Sequence, residues 1–371
     1  MTGTASWRAF AERLPSDTRV VQFISDLVFG DAASTDCVQW RNTFVAAGLV
    51  APIYARRFDE HHVTICQELE QYERRPNDII LFHYTTWTES AAYLLEHGWP
   101  IVLMYHNVTP ARFFTGIDDQ IAADTGRGRD NLRLFQPITT VAIAKSDYSR
   151  QDLVDAGFSR TGSVPVRIDF EALDRNCNEH LLALLRAGGP ILLTIGRIVP
   201  NKCIDDLIKI FAYYRARFAP TARLFLVGAH DVNSPYHQSL HRLIHRLGLE
   251  GSVQFTGQVS HEDRGAYYRA CEAFVTMSEH EGFCVPIVEA MHIGVPAIGF
   301  ASTAIPETMG SAGVLVHSKH AAAIAETIGY ISKNERLRQR LIDRGRARAY
   351  TFRIEAIEAH LATLISDAVS N

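Results

Sequence analysis

The sequence lacks any Cys-x-x-Cys pair: its 6 cysteines, Cys37, Cys66, Cys177, Cys203, Cys271 and Cys284, are scattered. That excludes a zinc knuckle or a disulfide framework and reads as reduced thiols. No apolar run approaches the roughly 20 residues that span a bilayer. Met1 to Val20 carries charges and Pro15 without the apolar core of a signal peptide. Charge of one sign is also missing, since 37 basic residues face 41 acidic ones for a formal net charge of −4. A nucleic-acid partner is therefore not expected, and a cytoplasmic protein is. No G-x-G-x-x-G follows a strand, which disfavours a dinucleotide dehydrogenase, and there is neither an H-E-x-x-H nor an Asp-x-Asp.

What the chain has is length and alternation. Its 371 residues exceed what one core usually holds, so two domains are expected. Short apolar runs alternate with amphipathic segments, the pattern of parallel sheets covered by helices, an α/β protein. The first half predicts strands over Val20–Ile24, Ile53–Arg56, Asp78–Tyr84, Ile101–His106, Val141–Lys145 and Val164–Ile168. The second predicts Ile191–Ile195, Arg223–Val227, Val253–Thr256, Ala273–Met277, Ala297–Phe300 and Gly313–Val316, with helices near Ile204–Arg217, Gln238–Leu247 and Pro286–His292. Asp169 to Pro190, with Asn176, Asn178, Gly188 and Gly189, lacks strand character and reads as a hinge.

Ligands of doubly wound sheets bind outside the carboxyl ends of the strands, so residues at strand ends are the candidates for a site. After Ala273–Met277 comes Ser278-Glu279-His280-Glu281-Gly282-Phe283-Cys284-Val285-Pro286, continuing to Glu289. A helix starting near Val285, with Pro286 in its first turn, offers N–H groups that attract phosphate. Gly294 and Pro296 end it. Gly196-Arg197-Ile198-Val199-Pro200-Asn201-Lys202 sets a guanidinium fork and an ammonium over one strand-to-helix turn, both able to reach a diphosphate. Gly30 follows the first strand and His106-Asn107 the Ile101 strand. Val227-Gly228 and Thr256-Gly257-Gln258-Val259 are further strand ends with glycine.

Glu281 to Glu289 resembles the E-x7-E signature of family 4 of the retaining glycosyltransferases, and the other pieces stand in that family's order over nearly the whole chain. The resemblance implies the GT-B fold, two Rossmann-like doubly wound domains facing a central cleft. Residues 1–175 would be the acceptor-side domain, with helix 353–371 packing back on it, and 176–352 the nucleotide-sugar domain. It further implies that Arg197, Lys202, Glu281 and His106 are catalytic, Arg197 and Lys202 holding the diphosphate and His106 touching the donor sugar. Gly30, Gly196, Gly228, Gln258, Val259, Gly282, Phe283, Cys284, Val285 and Glu289 would bind the donor nucleotide, Glu289 at the ribose. The activity implied is metal-independent retaining transfer of a hexosyl group from GDP-mannose or a UDP-hexose to a glycan, lipid-linked or small-molecule hydroxyl, without cofactor. A lipid-linked acceptor would bring the protein to the inner membrane face as a peripheral partner. The alternatives are a nucleotide-sugar epimerase or sugar phosphorylase of the same fold, or a non-catalytic nucleotide-sugar scaffold.

Two further patterns invite other readings. His237, His241 and His245 recur every fourth residue as metal ligands on a helix would, but without an interleaved acid. Arg336, Arg338, Arg340, Arg344, Arg346 and Arg348 alternate with Leu337, Leu341 and Ile342, the pattern of a solvated amphipathic helix.

Overall fold

A computed structural model of the chain describes residues 3–175 and 177–369. Asn176, part of the expected hinge, lies outside them. Two parallel sheets organise the chain. The first contains β1 (Arg19–Leu27), β2 (Ile53–Phe58), β3 (Cys66–Glu68), β4 (Asp78–Tyr84), β5 (Ile101–Tyr105), β6 (Thr139–Ala144) and β7 (Thr161–Ser163), in the order β3-β2-β1-β4-β5-β6-β7. The second contains β8 (Ile191–Ile195), β9 (Arg223–Val227), β10 (Val253–Gly257), β11 (Ala273–Thr276), β12 (Ala297–Phe300) and β13 (Val314–Val316), in the order β10-β9-β8-β11-β12-β13. Central strands such as β4 are buried along their whole length because helices cover both faces, which is why they read as unbroken apolar runs.

Each sheet winds outward in one direction, returns, and winds in the other. The reversal falls between β1 and β4 in the first sheet and between β8 and β11 in the second. At such a switch the connections after neighbouring strands leave toward opposite faces, opening a crevice at the carboxyl ends.

One expected strand is displaced, and one strand that the sequence does not predict is present. Val164 still donates its N–H to the Ala144 carbonyl, but Pro165 follows without an N–H, so the ladder stops and the strand lies earlier, at β7. The edge strand β3 spans 3 residues, too few to show a period.

The chain divides into one unit of Met1–Thr115, Asp119–Arg167 and Phe352–Asn371, and another of Gly116–Asp118 and Ile168–Thr351. Apart from the short Gly116–Asp118 segment, the chain passes from the first unit to the second at Arg167/Ile168 rather than at 175/176. The expected hinge is instead part of the second unit. Helices Phe170–Arg175 and Glu179–Ala187 bury Leu173, Leu182 and Leu185. Phe170 stacks on His292, Asp174 pairs with His292 at 2.8 Å, and Arg269 donates to the carbonyls of Leu173 and Asp174. In the first unit, the last helix, Ile354–Val369, packs on Gly3–Ala11. It delivers Glu358 to Thr43 at 2.7 Å and to Arg167 at 3.3 Å, anchoring the residue at which the chain leaves the unit.

Among the described residues no helix is long and apolar enough to cross a membrane.

Candidate functional site

In the second unit the loop after β8 and the loop after β11 meet beside the reversal of strand order. Lys202 Nζ lies 2.7 Å from Glu281 Oε1. Lys202 is reached through a turn, Pro200–Lys202, that ends on Cys203 in the left-handed region at φ 49°. Glu281 is buried at 8 % exposure, while Lys202 stays half-buried. An ammonium has three donors and Glu281 takes one, so Lys202 retains donors for an anion. Arg197 is exposed, and its side chain makes no ion pair with any described residue.

The Ser278–Cys284 loop is held from several sides. Asn201 is fully enclosed there: its side-chain amide donates to the His280 carbonyl at 3.0 Å and its own carbonyl accepts from Glu279 N–H at 2.8 Å. Glu281 N–H donates to Thr303 Oγ1 at 2.9 Å, Ser302 Oγ to the Ser278 carbonyl, and Thr308 Oγ1 to the Phe283 carbonyl. Lys319 ties Glu279 at 2.7 Å to Asp206 at 3.0 Å. A loop fixed this way positions Glu281 before a ligand arrives.

The helix begins at Val285 as expected, spans Val285–Ile293, and ends on Gly294 at φ 93°. Cys284 precedes it in the left-handed region at φ 73° and gives no side-chain cap, and this end carries the positive pole of the helix. Burial, together with the Glu281 carboxylate, pushes the Cys284 thiol well above its usual range, so it is a neutral lining group with Phe283. Glu289 points inward at 4 % exposure, accepting from Tyr268 Oη at 2.8 Å and facing Arg264 at 3.4 Å.

Glycines let the strand ends converge. A side-chain carbon at Gly228 would sit 2.1 Å from the Gly196 carbonyl oxygen, and Gly228 and Gly196 have φ of 143° and 147°. Gly228 N–H donates to the Gly257 carbonyl, bringing the β8, β9 and β10 ends together ahead of Gln258 and Val259. Arg197, Lys202, Glu281, Gly282 to Val285 and Glu289 thus lie on the two loops and the helix at one switch point. Asn201, Thr303, Tyr268, Arg264 and Lys319 support them and are not candidate site residues in the sequence, because their partners lie 21 to 113 positions away.

In the first unit Gly30 follows β1 at φ 76°, and Asp31 caps the helix Ala32–Ala46 by accepting from Ser34 N–H. That helix carries Asp36, whose carboxylate pairs with Lys145 at 2.5 Å, both almost completely buried. His106, just after β5, faces His83 of β4: His106 Nε2 lies 2.9 Å from His83 Nδ1, and His83 Nε2 lies 3.0 Å from Gln22 Oε1. Burial and the Lys145 ammonium push both imidazoles well below the usual histidine range, with His83 adding to the effect on His106. Asp36, His83 and His106 bring ligand atoms within 4.8 Å of one another, the one such trio among the described residues. Lys145 already supplies the cation that Asp36 requires, and a metal here would stand against that ammonium.

The two competing patterns resolve differently. His237 stacks with His230 and His241 against Phe255, whereas His245 pairs with Glu250, so the three histidines share no ligand point. The basic helix Glu335–Tyr350 is less solvated than its sequence implies. Arg346 donates to the Ile293 carbonyl and Arg348 to those of Glu307 and Thr308, capping two helix ends, while Arg338 donates to the Glu272 carbonyl. Arg340 remains exposed.

Residues 183–348 match the model of the family described as Glycosyl transferases group 1. The chain is 31 % identical over 216 residues to O-antigen chain mannosyltransferase B of Escherichia coli, covering 57 % of this chain and 56 % of that protein. It is 28 % identical over 234 residues to the GDP-mannose-dependent alpha-(1-6)-phosphatidylinositol monomannoside mannosyltransferase of Mycobacterium tuberculosis, covering 59 % and 57 %. The matches thus span little more than half the length of these relatives. The crystal structure of Anabaena HepE in complex with UDP and glucose superposes with a TM-score of 0.75 at 20 % identity, over 94 % of this chain and 99 % of that one. Two Rossmann-like sheets, their order and this neighbour make the fold GT-B, and residues 183–348 are a glycosyl transferases group 1 domain.

Proposed function

We propose that the protein is a retaining hexosyltransferase that takes a mannosyl group from GDP-mannose to an acceptor hydroxyl on a glycan, lipid-linked or small molecule, without metal. The observation that carries this reading is the Lys202–Glu281 contact at the switch point of the group 1 domain, beside Arg197 and an uncapped helix start. The relatives' names, mannosyltransferase and GDP-mannose-dependent, support the choice of donor.

A diphosphate leaving the anomeric carbon gathers negative charge, and a site that stabilises the growing charge lowers the barrier. Arg197 offers a planar fork, Lys202 its remaining donors, and the Val285 end of the helix its dipole. Glu281 orients Lys202 and is the acceptor for a sugar hydroxyl. Glu289, steadied by Tyr268 and Arg264, is the acceptor for the ribose hydroxyls. In the transfer the acceptor oxygen bonds to the anomeric carbon on the face from which the phosphate oxygen departs. The hydroxyl proton passes to that departing oxygen, so configuration is retained and no protein nucleophile is required.

The test is a thermal-shift panel of GDP-mannose, UDP-glucose and UDP-N-acetylglucosamine in excess EDTA, followed by transfer or donor hydrolysis with the best ligand. A donor at a hundred times its Kd adds about 2.7 kcal/mol of stability. GDP-mannose should give the largest shift and turnover should persist in EDTA. Turnover that needs added Mg²⁺ or Mn²⁺, or a larger shift from a UDP-sugar, contradicts the corresponding part.

A further inference from the structure

The first unit contains a hydrogen-bonded row that the transfer chemistry above does not use: Gln22 in β1, His83 in β4 and His106 after β5, side by side because β1, β4 and β5 are neighbours in the sheet. Gln22 and His83 are completely buried; His106 is the member that reaches the strand-end surface. The direction of the row follows from its first acceptor. An amide oxygen only accepts, so the hydrogen between Gln22 Oε1 and His83 Nε2 belongs to His83. A neutral His83 then has a bare Nδ1, and the hydrogen in the 2.9 Å contact belongs to His106 Nε2.

We propose that Gln22 and His83 are positioning residues that fix the His106 proton on Nε2, so that His106 presents a bare Nδ1 as an acceptor for a sugar hydroxyl. The inference rests on the reading that His106 contacts substrate. The groups around the row act in the same direction: the Lys145 ammonium opposes a second proton on either ring, and the Asp36 carboxylate, which would favour one, is neutralised by its pair with Lys145. An imidazole fixed in this form orients a hydroxyl and does not protonate a leaving group. That suits a reaction in which the departing phosphate itself takes up the proton.

Long-range ¹H–¹⁵N spectroscopy of the whole chain, labelled at histidine, reads each ring nitrogen as protonated or bare. The expected result is a proton on Nε2 and a bare Nδ1 in both His83 and His106, unchanged between about pH 6 and 8. If the Gln22 amide were turned over, the row would reverse and His106 would carry its proton on Nδ1; that spectrum overturns the proposal. His83→Phe keeps a ring and removes the acceptor. It should lower kcat about tenfold with little change in KM, and release the His106 proton from its fixed place on Nε2. Unchanged kcat with an unchanged His106 tautomer also overturns it. His106→Ala tests the underlying reading separately: unaltered transfer would remove the sugar contact even where the spectra show the expected tautomers.

Discussion

The two units set polar groups at the same place, the carboxyl ends of strands around a reversal of order, yet surround them differently. In the second unit the cations Arg197 and Lys202 keep contact with solvent, and the buried part is the bracing beneath them, Asn201 and Tyr268. In the first unit the charges themselves are buried, Lys145 against Asp36 under His83, and only His106 reaches out. Exposed cations can rearrange around an incoming diphosphate at small cost. A buried ion pair cannot, because separating it strands a charge in low dielectric. On the proposed reading, anion binding falls to the second unit and a rigid, neutral contact to the first.

The sharpest way to break this contrast is Asp36→Ala, which leaves the Lys145 ammonium buried and unpaired. It should destabilise the protein by about 3–5 kcal/mol in urea or thermal unfolding. Replacing both partners by apolar residues, Asp36→Leu with Lys145→Met, should recover most of that loss. Recovery failing while Asp36→Ala is mild would mean that the pair does not organise the first unit.

Next comes Glu289→Gln, which exchanges an ionised acceptor for a neutral one and should weaken nucleotide diphosphate binding by roughly 1–3 kcal/mol in calorimetry. Unchanged affinity would reject the ribose role.

Acid should weaken the first unit through its buried histidines. With their pKa values depressed in the fold, His83 and His106 stay neutral where the unfolded chain takes up protons. Their contribution is complete above about pH 6.5 and is lost as the pH falls below it toward the folded-state values. Unfolding followed from pH 8 to pH 5 should show stability falling in that window, and His83→Phe should flatten the fall. A profile flat through this window in the wild type would contradict the buried neutral pair. The smallest effect belongs to Arg340→Ala, which should stay within about 0.5 kcal/mol and keep full activity.

How much of this was legible in the sequence differs between the units for a physical reason. The second unit's site is nearly contiguous: strand β11, the Glu281 turn and the helix to Glu289 follow one another, and a proline, a glycine and an apolar run mark each boundary. The helix start could therefore be read to within about a residue. The first unit's row and its surroundings draw on Gln22, Asp36, His83, His106 and Lys145, brought together by the pairing of β1, β4, β5 and β6 and by the helix Ala32–Ala46 that carries Asp36. One glutamine in an apolar strand carries no local signal, and only His106, beside a turn, could be singled out. The stretch after Asp169 looked like a linker because Asn178, Gly188 and Gly189 break its pattern. Its leucines are core residues of the second unit, a tertiary fact that composition does not reveal. The arginines of Glu335–Tyr350 read as solvated because the carbonyls they cap belong to distant helix ends.

The central claim is that Arg197 and Lys202 neutralise charge that grows during transfer. The direct measurement is the rate at saturating donor for Lys202→Ala and Arg197→Ala, with Arg340→Ala as the control. Each of the first two should lose on the order of 2–4 kcal/mol of transition-state stabilisation, roughly a hundredfold or more in kcat, with Lys202→Arg recovering little of it because a planar fork does not replace a compact ammonium. Full kcat in Lys202→Ala and Arg197→Ala, with only KM raised or with activity lost instead in Arg340→Ala, would contradict the account.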